Sequence, residues 1–221
     1  PEAEALALLA AVGIPTAPAE LATDPDEAAA IAERFGGAVA LKVVAPAIVH
    51  KSDVGGVLLD LVGADQVRDG YRRIVAAVGK ARPDAELTGV LVQAMVPPGR
   101  ETIVGGLRDR SFGAIVMFGL GGTLVEVWRD VVLRMGPIAR PEAREMIEGL
   151  RSAALLAGVR GAGPIDYHAV EDILLRVSQL LEAFPEIAEL DANPLVTYPQ
   201  GAVVADARVR LSYQASGPVP A

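Results

Sequence analysis

The side chains that could do chemistry in this sequence cluster in two stretches. The first is residues 41–57, LKVVAPAIVHKSDVGGV. Two of the chain's three lysines, Lys42 and Lys51, lie in it, with one of its two histidines, His50. Nearly every other basic position is arginine, so lysine here is a distinct choice. A compact ammonium suits contact with a single phosphate oxygen, whereas a planar guanidinium suits bidentate pairing. Gly55-Gly56 would let backbone N–H groups come close to an anion. The stretch therefore reads as a holder of nucleotide phosphates. The plainer alternative is a half-buried strand with a solvent-facing lysine and an ordinary hairpin turn.

The second stretch is Asp191-Ala192-Asn193-Pro194, followed by Asp206. Asn193 is the chain's only asparagine. Residues two apart on a strand face the same side, so Asp191 and Asn193 can point into one cleft. Asp206 falls on the next strand, after a tight turn, and can come alongside. Two carboxylates and an amide oxygen make a hard, oxygen-only set that suits Mg²⁺ bridging nucleotide phosphates. Equally, Asp191 and Asn193 can be turn-formers ahead of Pro194.

Three weaker features stand beside these. Residues 118–126, FGLGGTLVE, bring an apolar strand into glycines, which suits an anion or the close approach of another backbone. Strand 90–96 could read an adenine edge, with Glu101 on the ribose hydroxyls, or be a core strand followed by a surface acid. Glu126, Arg129 and Asp130 read as a solvated cluster, His168 as structural, and Trp128 as packing or interface.

The elements that must position these groups alternate irregularly. Helices are expected over 2–12, 25–35, 65–82, 141–150, 152–156 and 166–183. Asp24 and Asp166 serve as N-caps, and Val67, Tyr71, Ile74, Val75 and Val78 share one face. Strands are expected over 38–44, 57–62, 89–96, 101–109, 114–122, 130–136, 187–198 and 202–211. Hairpins rather than regular βαβ repeats argue for an α+β fold, two layered subdomains with a ligand cleft between them.

Composition narrows the function classes. The chain has 221 residues, 52% hydrophobic and 22% charged, enough for a full core. A net charge of −8 argues against nucleic acid as partner. With no cysteine there is neither a disulfide framework nor thiolate chemistry. No apolar run is long enough to span a bilayer and no leader pattern is seen, so a cytoplasmic protein is expected.

Taken together, HKSDVGGV, VLVQAMV, RETIVGGLRDRSFG, VMFGLGG–VE, GVRG, ELDANPL and VADARVRL resemble the ATP-grasp domain of ADP-forming acyl-CoA synthetases over about residues 1–211. The likeness is to the β subunit of ADP-forming acetate–CoA ligase and, more distantly, to that of succinyl-CoA synthetase. It implies an ATP-grasp fold with a nucleotide cleft, residues 1–18 and 97–211 forming one subdomain and 19–96 a smaller, nucleotide-covering one. Residues 212–221 are expected to be a disordered tail. By resemblance Lys42 and Lys51 meet the phosphates, and Ser52, Gly55, Gly56 and Val57 belong to the covering loop. Gln93, Ala94 and Met95 lie beside adenine, followed by the acid Glu101. Asn193 and Asp206, with Asp191, hold Mg²⁺. His50 falls where the acetyl-CoA type carries a second phosphorylatable histidine. The implied reaction is acyl-CoA + ADP + phosphate ⇌ acid + CoA + ATP. It needs a CoA-binding domain and a ligase domain, or an α subunit, carrying the primary phosphohistidine. A homo- or hetero-oligomer is compatible with this. The alternative is a non-catalytic nucleotide-sensing domain of a fusion such as an acetyltransferase. The hinge departs from the common pattern in having Ala94 where a charged residue is frequent, and DRSFGA lacks the usual proline pairs.

Overall fold

The computed structural model describes residues 2–48, 50–122, 130–158 and 163–212. Along the chain lie α1 (Glu2–Ala11), β1 (Ala19–Ala22), α2 (Pro25–Phe35), β2 (Val39–Val44), a 3₁₀ turn (Ser52–Val54), β3 (Val57–Leu61), α3 (Ala64–Ala81) and β4 (Gly89–Ala94). These are followed by β5 (Arg100–Asp109), β6 (Gly113–Leu120), β7 (Val131–Met135), α4 (Arg140–Glu148), α5 (Ala153–Ala157), α6 (Tyr167–Ala183), β8 (Ile187–Thr197), β9 (Ala202–Val204) and β10 (Ala207–Leu211). The chain divides into two compact units, one of residues 17–97 and one of residues 4–16 with the chain from Pro98 onward. The expected tail from 213 onward, Trp128, Glu126 and Arg129 lie outside the described residues.

In the smaller unit an antiparallel sheet, ordered β1-β4-β2-β3, carries α2 and α3. Strand alternation sends Val39, Leu41, Val43, Val90 and Val92 into a core shared with Ile31, Val67, Tyr71, Ile74 and Val78 of the helices. The start of α2 follows from its sequence. The Asp24 carboxylate accepts from the N–H groups of Asp26 (2.9 Å) and Glu27 (2.8 Å). Glu27 reaches back to the N–H and hydroxyl of Thr23. Val75 departs from expectation. It is 36% exposed, because a turn of 100° per residue carries it off the stripe that Ile74 and Val78 bury. The strand β1, in a stretch outside the expected strands, is formed by pairing with β4.

The larger unit is a six-stranded antiparallel sheet, ordered β10-β8-β5-β6-β7, with β9 also on β8. Helices α4 and α6 bury Ala143, Met146, Ile147, Leu174, Val177 and Leu181, and α6 lies on β5 and β6. Val104, Val116, Phe118, Leu190 and Ala192 are buried on the sheet. Asp166 fastens the start of α6: its carboxylate accepts from the N–H groups of Ala169 (3.1 Å) and Gly201 (2.8 Å). The final expected strand, 202–211, is broken into β9 and β10 at Ala205-Asp206.

These amide bonds, Gly201's first, hold the Asp166 carboxyl below its usual pKa. A carboxyl lowered in the folded state stabilises above its unfolded pKa and loses that contribution as pH falls through the folded value. Asp166→Ala is expected to cost about 1–2 kcal/mol at pH 7, as for a lost N-cap, and much less at pH 3. Denaturant unfolding at both pH values checks this; an equal cost at both would contradict it.

Candidate nucleotide and metal site

Within the smaller unit, alternation along β2 turns Lys42 away from the helix-backed core. It is partly buried, with Leu91 of β4 and Val57 of β3 as its cross-strand neighbours. Gln93, the partner of Ala40, shares that face and is buried. Lys42, Val57 and Gln93 therefore lie on one face of one sheet. The loop between β2 and β3 carries exposed His50, partly buried Lys51 and exposed Ser52.

Two backbone expectations are corrected here. The N–H of Gly55 donates to Ser52 O (3.1 Å) and that of Gly56 to Lys51 O (2.8 Å), so neither amide is aimed at an anion. The glycines instead shape the loop. A Cβ at Gly56 would stand 2.9 Å from the Lys51 carbonyl and 2.5 Å from Val43 Cγ1, and Gly55 sits at φ +68°. Likewise, Ala94 N–H donates to Pro18 O (2.8 Å) and Met95 N–H to Ala38 O (2.9 Å). Those two donors are committed within the unit and are not free to read a base edge.

Within the larger unit the geometry turns on Pro194. Proline has no N–H to give to a sheet ladder, and inside sheets it sits at edges or bulges. Here it lies in a strand paired on both sides. Toward β5, Ala192 pairs with Val104 and Leu195 with Thr102, so Asn193 and Pro194 together oppose Ile103 alone. That is a bulge, the device that re-aims side chains. Toward the other neighbour, the break at Ala205-Asp206 falls opposite the same two residues. It is closed by Asn193 N–H to Asp206 O (3.0 Å) and Ala205 N–H to Pro194 O (2.9 Å). Asp191, Asn193 and Asp206 line one surface pocket, together with Ala207 and Arg208.

Burial raises the Asp191 carboxyl above its usual pKa; Arg208, its cross-strand partner, pulls it back and Glu189 adds to the rise. Among the described residues no three His, Cys, Asp or Glu side chains are grouped to hold a metal ion alone. The pocket offers two carboxylates and one amide. This oxygen-only set fits Mg²⁺, which takes one or two carboxylates and completes its shell with water and substrate phosphates.

Glu101 stands exposed at the start of β5. Beneath it runs Gly121, whose N–H donates to Glu101 O (2.7 Å). A Cβ on Gly121 would meet the Glu101 carbonyl carbon at 2.7 Å. Of the two readings of the FGLGG run, close backbone approach is what Gly121 shows. Arg208, which also lines the pocket, was not singled out from sequence, where neither type nor spacing separates it from Arg210.

Residues 1–211 match the family model described as ATP-grasp domain. Over 210 residues the chain is 41% identical to the acetate–CoA ligase [ADP-forming] I subunit beta of Pyrococcus furiosus, covering 95% of this chain and 90% of that one. The chain belongs to the ATP-grasp family of ADP-forming acetate–CoA ligase β subunits. A longer ATP-grasp relative, acetate–CoA ligase [ADP-forming] I of Archaeoglobus fulgidus, is 47% identical over 209 residues, which are 95% of this chain but 30% of that protein. Among solved structures, the acetyl-coenzyme A synthetase 1 of Ca. Korarchaeum cryptofilum, in complex with coenzyme A, Ca-AMPCP and HgCl+, superposes with a TM-score of 0.92 at 44% identity, covering 96% and 92% of the two chains. The same synthetase with coenzyme A and Mg-AMPPCP, its phosphohistidine segment pointing towards the nucleotide binding site, gives 0.86 and 41%, with 96% and 92% covered. The α+β architecture is thus an ATP-grasp fold. No helix among the described residues is long and apolar enough to cross a membrane.

Gly121→Ala is expected to displace the Glu101 backbone and cost about 1–3 kcal/mol, the usual range for overpacking. Chemical denaturation measures it; wild-type stability would contradict the close approach.

Proposed function

We propose that this chain binds ADP or ATP with Mg²⁺ and passes a phosphoryl group between a phosphohistidine and the nucleotide, as the ATP-grasp part of an ADP-forming acyl-CoA synthetase. The overall reaction is acyl-CoA + ADP + phosphate ⇌ acid + CoA + ATP. The observation that carries this reading is the pocket of Asp191, Asn193 and Asp206, an oxygen set that falls short of a metal site by itself and suits a metal–polyphosphate. The ligase names of the relatives favour it over a nucleotide-sensing role. Phosphoryl transfer asks a protein mainly for positioning and charge neutralisation, which these residue types provide.

In this reading Lys42 and Lys51 neutralise phosphate oxygens, and Ser52 and the loop through Gly55, Gly56 and Val57 cover them. Gln93, Ala94 and Met95 flank the base, and Glu101 accepts from ribose hydroxyls. Asn193, Asp206 and Asp191 would hold Mg²⁺, which when bound supplies charge to offset that building on the phosphoryl oxygens. Residues 19–96 form the nucleotide-covering subdomain, and 1–18 with 97–211 the other. His50 is a phosphoryl relay toward a partner that carries the primary phosphohistidine. That partner is a separate CoA-binding and ligase subunit, as the name "subunit beta" of the Pyrococcus relative suggests, or further domains of one longer chain, as the length of the Archaeoglobus relative suggests. A cytoplasmic location fits this chemistry.

Calorimetric titration tests the reading. ADP is expected to bind more tightly with Mg²⁺ than without. Asn193→Ala or Asp206→Ala should lose the Mg²⁺-dependent part, about tenfold or more, the scale of one charged contact. Lys42→Met should weaken binding with or without Mg²⁺. No ADP binding at millimolar concentration in either condition would contradict the proposal. With partner subunits supplied, His50→Ala should abolish turnover and keep ADP binding; intact turnover would remove His50 from the pathway.

A further inference from the structure

The metal pocket contains one cation that the family reading leaves without a role. Arg208 lines it beside Asp191, Asn193 and Asp206. It sits on β10 directly across from Asp191. Its neighbour along the strand shows what an ordinary arginine does in this sheet: Arg210, across from Glu189, donates to that carboxylate at 3.0 Å. Arg208 has the same kind of partner, an acid at its cross-strand position. Yet among the described residues no hydrogen bond or ion pair holds its guanidinium. The Asp191 carboxylate and the Arg208 guanidinium are near enough to feel each other's charge but are not joined. Arg208 is exposed and lines the pocket, and among the described residues its planar fork of donors is not engaged by Asp191. That fork matches two oxygens of one phosphate group.

From this arrangement we infer that Arg208 binds the terminal phosphate of the nucleotide in the Asp191–Asn193–Asp206 pocket. The inference rests on the proposed nucleotide function and adds to it a residue that touches the substrate. The role is to grip the terminal phosphate of ADP beside the acids and to offset charge on the oxygen that accepts the phosphoryl group. Because the contact is to the terminal phosphate, it should be blind to the base, the ribose and the first phosphate.

The test compares ADP with AMP, each titrated calorimetrically in Mg²⁺ into the full chain, its Arg208→Ala and Arg208→Lys variants, and Arg210→Ala. Arg208→Ala is expected to bind ADP about tenfold more weakly, as for one charged hydrogen-bonded contact, and AMP as wild type does. Arg208→Lys should fall between, keeping charge but losing the fork. Arg210→Ala should match wild type. ADP affinity unchanged in Arg208→Ala would overturn the inference while the wild-type titration upholds the nucleotide reading. Equal losses for ADP and AMP would also overturn it, as the mark of a structural role. Wild-type protein that binds neither nucleotide would overturn both.

Discussion

A proline with no amide hydrogen, set in a strand paired on both sides, governs the larger unit's site. Pro194 cannot contribute a donor to either neighbour, and both ladders give way around it. On one side two residues oppose Ile103 alone. On the other the chain leaves the sheet at Ala205-Asp206 and re-enters as β10, held by Asn193 N–H on Asp206 O and Ala205 N–H on Pro194 O. Asp206 stays across from Asn193, as Arg208 is across from Asp191, and it lines the same pocket as Asp191 and Asn193. The bulge thus lies where three oxygen-bearing side chains share one pocket, in keeping with a bulge's re-aiming of side chains.

The smaller unit solves a different problem with ordinary alternation. A helix-backed sheet must bury every second residue of β2, so the intervening lysine is carried to the other face, where Gln93 and Val57 also lie. The loop that follows shows that a glycine pair next to a lysine need not mean amides aimed at an anion. Gly55 and Gly56 spend their amides on Ser52 and Lys51, and their lack of side chains allows the loop to close that tightly.

Much of this was legible in the residues. Helix starts at Asp24 and Asp166 could be read because a short acid before the first turn has one cheap thing to do, accept orphan amides, and both do so. The apolar runs marked the long strands, and the DANP run and the later aspartate marked the oxygen cluster. Three things escaped. The short strand β1 exists because β4 recruits it, a tertiary effect with little local signal. The break between β9 and β10 was hidden because residues 202–211 look continuous, and its cause lies a strand away at Pro194. Arg208 could not be told from Arg210 by type or spacing; only the ion pair that one makes with Glu189, and the other does not make with Asp191, separates them.

The central claim is that the residues around the Pro194 bulge receive a divalent ion only in company with a nucleotide's phosphates. Amide NMR with Mn²⁺ in place of Mg²⁺ tests it directly, since the paramagnetic ion broadens signals near where it sits. The account predicts that Mn²⁺ with ADP broadens the amides of Asp191, Ala192, Asn193, Asp206 and Ala207 first, and that the same Mn²⁺ alone leaves them sharp. Broadening that ignores ADP, or that centres elsewhere in the chain, would contradict it.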